Sequence, residues 1–149
     1  MRTLLLVALL SVGAYAVPLT VQPEAKARGF VIETGDGWVP TGTPNTLQRR
    51  EEDHPENVYP ESIGAFATYE ADAGTMVATM QRLFPGRLTP IKLGDLDAMM
   101  ERDTTGFTIH AGQGATKITI AYKDGRGTLN QASQDAVLQS VKSSFRWSK

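Results

Sequence analysis

Residues Leu88–Tyr122, LTPIKLGDLDAMMERDTTGFTIHAGQGATKITIAY, decide the fold. Apolar side chains alternate with polar ones in four successive runs: Ile91/Leu93, Leu96/Ala98/Met100, Phe107/Ile109/Ala111 and Ile118/Ile120/Tyr122. A period of two puts one set of side chains on each face of a strand. Turn formers separate the runs at Gly94-Asp95, Thr104-Thr105-Gly106 and Gly112-Gln113-Gly114, so this region predicts an antiparallel meander with one buried face.

Upstream, Ile63–Tyr69 reads as a further strand, and Ala73-Gly74-Thr75 breaks it before a helix. Met76, Val77, Met80, Leu83 and Phe84 fall at helical spacing on one side of that helix, which Pro85-Gly86 ends. Downstream, Asp124-Gly125-Arg126-Gly127 closes the meander, and Thr128 with Gln131 forms a capping box for a second helix. Its apolar side carries Leu129, Ala132, Ala136, Val137 and Val141, and Phe145 and Trp147 alternate in a closing strand. Phe30–Glu33 opens the domain as a strand, turned by Gly35-Asp36-Gly37 towards Trp38 and Val39. Between Pro40 and Ser62 four prolines forbid a long regular element, leaving one short strand near Leu47–Arg50 in an exposed loop. The expected fold class is therefore α+β, an antiparallel β-sheet meander covered by two helices, the α/β/α sandwich.

The amino terminus predicts export. Arg2 precedes an apolar run, Leu4–Leu10, and Ala14-Tyr15-Ala16 supplies small residues for cleavage, giving residues 1–16 as a signal peptide and Val17 as the mature start. The apolar run is too short to span a bilayer. Residues 17–27, with Pro18 and Pro23, read as a flexible leader, and 28–149 as a single domain. With no cysteine among 149 residues there is neither a disulfide, nor a thiolate metal site, nor a residue to acylate, which suits a soluble periplasmic or extracellular product. A net charge of −1 with scattered basic residues argues against nucleic acid as a partner.

Three stretches together resemble the PsbP/DcrB group of exported proteins. They are Gly29-Phe30-Val31-Ile32-Glu33 followed by Gly37-Trp38, then Leu93–Ala98, then Tyr122, a glycine turn, a helix and Ser143-Ser144-Phe145-Arg146. The resemblance covers about residues 28–147 and implies an α/β/α sandwich acting as an assembly, docking or accessory protein. Its members include a photosystem extrinsic subunit and a nuclear-import factor that binds a small GTPase. Two departures limit what carries over. The chain lacks the cysteine that tethers several bacterial relatives to a membrane, and Thr41–Ser62 has no counterpart from which binding residues could be transferred.

No catalytic or cofactor-binding motif stands out. Glu51, Glu52, Asp53 and His54 offer carboxylates and an imidazole, the only candidate metal ligands, but in no EF-hand or zinc spacing, and Arg49 and Arg50 stand beside them as partners. His110 falls between Ile109 and Ala111, which sets its ring opposite the apolar face, and no G-x-S-x-G signature supplies a nucleophile for it. Asp95, Asp97, Glu101 and Asp103 read as turn and edge residues rather than as a carboxylate pair flanking a cleft. Gly112-x-Gly114 and Gly125-x-Gly127 lack the third glycine of a dinucleotide site. Trp38 and Trp147 read as core or core-rim residues, and become the interface candidates where exposed. The functional expectation is a non-enzymatic exported accessory protein that binds another envelope protein through its sheet edge or the 41–62 loop. The alternative is an envelope metal or small-ligand binder using residues 51–56.

Overall fold

The computed structural model describes residues 17–49, 61–125 and 131–149. The signal-peptide segment 1–16 and the acidic group Glu51–His54 lie outside these residues.

The meander forms one side of a seven-stranded antiparallel sheet, from its centre to one edge. Its strands are β3 (Trp38–Pro40), β4 (Thr46–Arg49), β5 (Glu61–Tyr69), β6 (Thr89–Leu93), β7 (Leu96–Arg102), β8 (Gly106–Gln113) and β9 (Thr116–Asp124). They lie in the order β3-β4-β5-β9-β8-β7-β6. Two hairpins are closed by glycine in the left-handed region, Gly94 at φ 57° and Gly114 at φ 58°. Each is the first residue of a two-residue loop, the position that a type II′ turn reserves for glycine. The third turn is held by Asp103, whose Oδ1 accepts from the Thr105 and Gly106 amides and the Thr105 hydroxyl. Those bonds to Thr105 hold its carboxyl below the usual range.

The register aligns Ile63–Tyr122–Phe107, Ala65–Ile120–Ile109 and Ala67–Ile118–Ala111 across three strands, and all nine side chains are buried. The face is bulky at one end, where Tyr122 stacks on Phe107 at 5.1 Å and meets Trp38 edge-on at 6.3 Å. It is shallow at the other, where alanines predominate and Glu24 donates its amide to the Ala67 carbonyl (2.9 Å).

What covers this face corrects the expected sandwich. A second sheet is built from β1 (Leu19–Val21), β2 (Phe30–Ile32) and β10 (Arg146–Trp147), in the order β1-β2-β10. Leu19, Val21, Phe30 and Ile32 join one core with the large sheet and with α2 (Gln131–Ser144). The described residues are therefore β-rich, with ten strands in two sheets and two helices, not a sheet enclosed by two helical layers. The physical reason lies in α2, which fully buries only Gln134, Val137 and Val141. Such a stripe is too narrow to cover seven strands, and the chain ends cover the remainder. The same strand overturns the reading of 17–27 as a leader throughout, since Leu19 and Val21 alternate inward around Thr20.

Helix α1 (Ala73–Leu83) lies on the opposite, outer face, against β7, β8 and β9. It touches the sheet backbone to backbone at Gly112, where an added Cβ would lie 1.9 Å from the Ala73 carbonyl oxygen. The Gly74 amide donates to the Gly114 carbonyl beside it (3.1 Å). Ala73 is the only fully buried residue of α1; Met76, Val77 and Met80 are half-buried, and Leu83 and Phe84 are exposed.

Candidate functional site

The residues singled out by sequence separate widely. Asp95 sits in the β6–β7 turn, Asp97 pairs with Lys92 (2.6 Å), Glu101 pairs with Arg87 (2.9 Å) and Asp103 holds its own turn. Glu101 and Asp103 line one cleft of about 230 Å³, but each carboxylate is already engaged, Glu101 by Arg87 and Asp103 by its own turn, rather than standing as a free acid and base. Gly112 is explained by the crossing of α1, and Gly114 by its hairpin. His110 does lie opposite the apolar face, between Met99 and Thr119 in a cross-strand row, and is half-buried. Among the described residues no group of three or more His, Asp or Glu side chains could hold a metal ion, and no helix is long and apolar enough to cross a membrane. Both edges of the large sheet carry proline, Pro40 on β3 and Pro90 on β6, which blunts pairing with an added strand.

A polar cluster that sequence reasoning missed stands where β4 ends and β5 begins. Glu61 is 1 % exposed and accepts hydrogen bonds from the Tyr122 hydroxyl and the Ser133 hydroxyl (3.0 Å), while Arg49 lies 2.9 Å from its other oxygen. The Arg49 guanidinium also lies over Trp38 at 5.3 Å. Asp124, likewise buried, is the cross-strand neighbour of Glu61. Burial first, then the bond to Glu61, pushes the Tyr122 hydroxyl well above the usual phenol range, so it stays protonated and donates. The cluster ties β4, β5, β9 and α2 together. Glu61, Tyr122 and Asp124 are buried within it while Arg49 stays 29 % exposed at its rim, and its chemistry is that of a strut.

Trp38, at 2 % exposure, offers no surface to a partner. Trp147 is different. It pairs with Phe30 in the small sheet, packs edge-on against Phe145 at 5.4 Å, and stays half-buried at the rim of the core. The Arg28 guanidinium lies 4.8 Å from the indole centroid. Its backbone is fixed by an amide bond to Thr116 Oγ1 (2.9 Å), and its guanidinium meets no carboxylate among the described residues. The adjoining cleft, about 490 Å³, is lined by Arg28, Asp95, Leu96, Gln113, Arg146 and Trp147 as well as Phe145. Arg146 is held by Glu33 at 3.3 Å. The residue Arg28 ahead of β2, the strand β10, the β6–β7 turn and the end of β8 converge here. A guanidinium held over an indole face still carries N–H groups at its rim, and that fork matches a carboxylate with two parallel hydrogen bonds.

No known protein family matches the sequence, and no curated protein does. Among solved structures, a crystal structure from Bacteroides thetaiotaomicron VPI-5482 at 1.50 Å resolution is similar, with a TM-score of 0.53 and 12 % sequence identity. The likeness covers 80 % of this chain and 45 % of that one, and at this identity it concerns the fold alone.

Proposed function

We propose that the protein is a non-enzymatic, exported accessory module that binds another protein in the periplasm or outside the cell, with the Arg28–Trp147 cleft as its contact surface. The observation that carries this reading is the Arg28 guanidinium lying 4.8 Å over the Trp147 ring, with no ion pair to a carboxylate among the described residues. Tryptophan and arginine are the side chains that most often dominate binding energy, and here they stand together beside an open cleft. The partner it fits presents an aspartate or glutamate to Arg28 and an apolar group to the Trp147 edge. The signal-like run Leu4–Leu10 with Ala14-Tyr15-Ala16 supports an exported setting. The stretches that resemble the PsbP/DcrB group support an accessory role.

The test is quantitative capture from envelope extract by the wild-type protein and by the double variant Arg28→Ala/Trp147→Ala, with circular dichroism to verify the fold. A partner retained by wild type and reduced at least tenfold by the variant supports the proposal. Equal retention of every bound protein sinks it.

A further inference from the structure

The edges of the two sheets differ in how they meet a further strand. Pro40 on β3 and Pro90 on β6 blunt the large sheet on both sides. On the small sheet, β1 is capped just past its end by Asn45. That side chain accepts from the Gln22 amide (2.9 Å) and donates to the Gln22 carbonyl (3.1 Å), the two bonds a neighbouring strand would make. The opposite edge, β10, carries no proline, and among the described residues neither a strand nor such a clamp lies beyond it.

The register fixes what that edge presents. Ser148 gives its amide to the Gly29 carbonyl (2.9 Å), and Trp147 opposite Phe30 and Arg146 opposite Val31 continue the same ladder. Hydrogen-bonded and non-hydrogen-bonded pairs alternate along an antiparallel ladder. Ser148 and Arg146 therefore turn their main-chain groups to β2, and Trp147 turns its N–H and C=O away from it. Beside Phe145 the β6–β7 turn stands against the edge, since a Cβ on Gly94 would lie 3.4 Å from the Phe145 carbonyl oxygen. The open stretch begins at Trp147, at the cleft of about 490 Å³. Arg146 and Trp147 send their side chains to opposite faces, so a cleft lined by both runs along the edge of the strand.

Charge selects the kind of strand. Arg28 precedes β2, but its guanidinium lies over the Trp147 ring and so reaches across to β10. An added strand would lie about 4.8 Å beyond β10, and its side chains on the Trp147 face would stand beside that guanidinium. Against Arg28 the cleft sets only Asp95, while Arg146 is held by Glu33.

We propose that the partner docks by strand addition: an extended segment pairs with the outer edge of β10 through the Trp147 main chain and sets an acidic side chain against Arg28. This rests on the reading of the Arg28–Trp147 cleft as the contact surface and specifies what the partner brings to it.

The probe is the acetylated, amidated heptapeptide Thr-Val-Thr-Glu-Thr-Val-Thr, titrated against the full chain by NMR. Saturable amide shifts are expected at Gln113 and Trp147, with slowed hydrogen exchange of the Trp147 amide. Glutamine in place of the peptide's glutamate weakens binding roughly two- to fivefold, as loss of an exposed ion pair does, and Arg28→Ala removes that difference. Alternate amides of a paired strand face opposite ways, so N-methylation of the glutamate amide and of the adjacent threonine amide gives affinities about tenfold or more apart. An ester in place of the Trp147 amide keeps the indole and weakens binding roughly three- to tenfold, the ratio of one net hydrogen bond. The methylated peptides serve if the ester chain fails to fold. An unprotected Trp147 amide, equal affinities of the two methylated peptides, or full affinity of the folded ester chain would overturn strand addition. If the glutamate preference and its dependence on Arg28 persist in that case, the cleft stands as a contact surface with another mode of docking. Absence of saturable shifts, or a glutamate preference that is missing or survives Arg28→Ala, also overturns the proposal; the contact surface falls with it only if Arg28→Ala/Trp147→Ala retains every protein that the wild type captures.

Discussion

Replacing Gly112 by alanine tests how α1 is attached. The new Cβ would lie 1.9 Å from the Ala73 carbonyl oxygen, 2.6 Å from its carbon and 3.2 Å from its Cα. All three are backbone atoms, so no rotamer change relieves the clash. Ordinary carbon–oxygen approaches begin near 3.3 Å, so the start of α1 must retreat by more than an ångström. That retreat strains the Gly74–Gly114 hydrogen bond and opens the one position where α1 is fully buried. Overpacking of this kind costs about 1–3 kcal/mol, and with the strained hydrogen bond the total is about 2–4 kcal/mol. Gly74→Ala, two residues' width away on the helix side, is the control. Its Cβ meets Gly114 at 3.5 and 3.6 Å, ordinary contact, and a glycine replaced within a helix gains roughly 0.5–1 kcal/mol. Urea denaturation measures both, with unchanged m as the condition for comparison. A Gly112→Ala midpoint equal to wild type, or a Gly74→Ala loss as large as the one expected at Gly112, would refute the packing argument.

Other outcomes follow from the buried cluster and the titrating groups. Tyr122→Phe removes the donor to Glu61 and should cost about 1–3 kcal/mol in the same assay, since the carboxylate stays buried. Arg49→Ala should cost about 2 kcal/mol, less than a fully buried ion pair because the Arg49 side chain is 29 % exposed. The imidazole of His110 has a lowered pKa in the folded state, so the unfolded chain binds more protons as pH falls below 6.5. Stability is then complete above pH about 6.5 and declines as pH falls towards the folded value, a slope that His110→Phe should flatten in melting experiments between pH 5 and 7. The Asp103 carboxyl, also lowered, contributes stability above its ordinary value that is lost as pH falls through the folded one, and Asp103→Asn should remove that acid-side loss.

The strands of the meander were readable because Leu96–Met100, Phe107–Ala111 and Ile118–Tyr122 alternate for long enough to establish a period. Ile63–Tyr69 and the helix around Met76–Leu83 were readable for the same reason. Of the second sheet, the strand at Phe30–Ile32 and the closing strand at Trp147 were readable, but β1 and the pairing were not, because Leu19–Val21 is too short to carry a period and β2 lies more than a hundred positions from β10. With that pairing unseen, α2 was left to cover the inner face alone, and the expectation became a sandwich. The helix itself was legible, but Leu83 and Phe84 were counted with its buried side and stand exposed, at 59 % and 46 %. Glu61 looked like one more charge in a proline- and glutamate-rich loop. Its burial depends on Tyr122 and Ser133, 61 and 72 positions away, which no local pattern records. Trp147 could be named as an interface candidate from its type and place, yet Arg28, which makes it one, is separated from it by nearly the whole domain.

The central claim is that the Arg28–Trp147 cleft meets another protein. The most direct measurement places a photo-crosslinking residue at positions 95 and 113 on the cleft wall, which leaves Arg28 in place, and at position 139 on the exposed side of α2, in the exporting cell. The account predicts one adduct, of the same partner, from positions 95 and 113 and none from 139. No adduct from 95 and 113, or adducts of equal yield from all three positions, would contradict it.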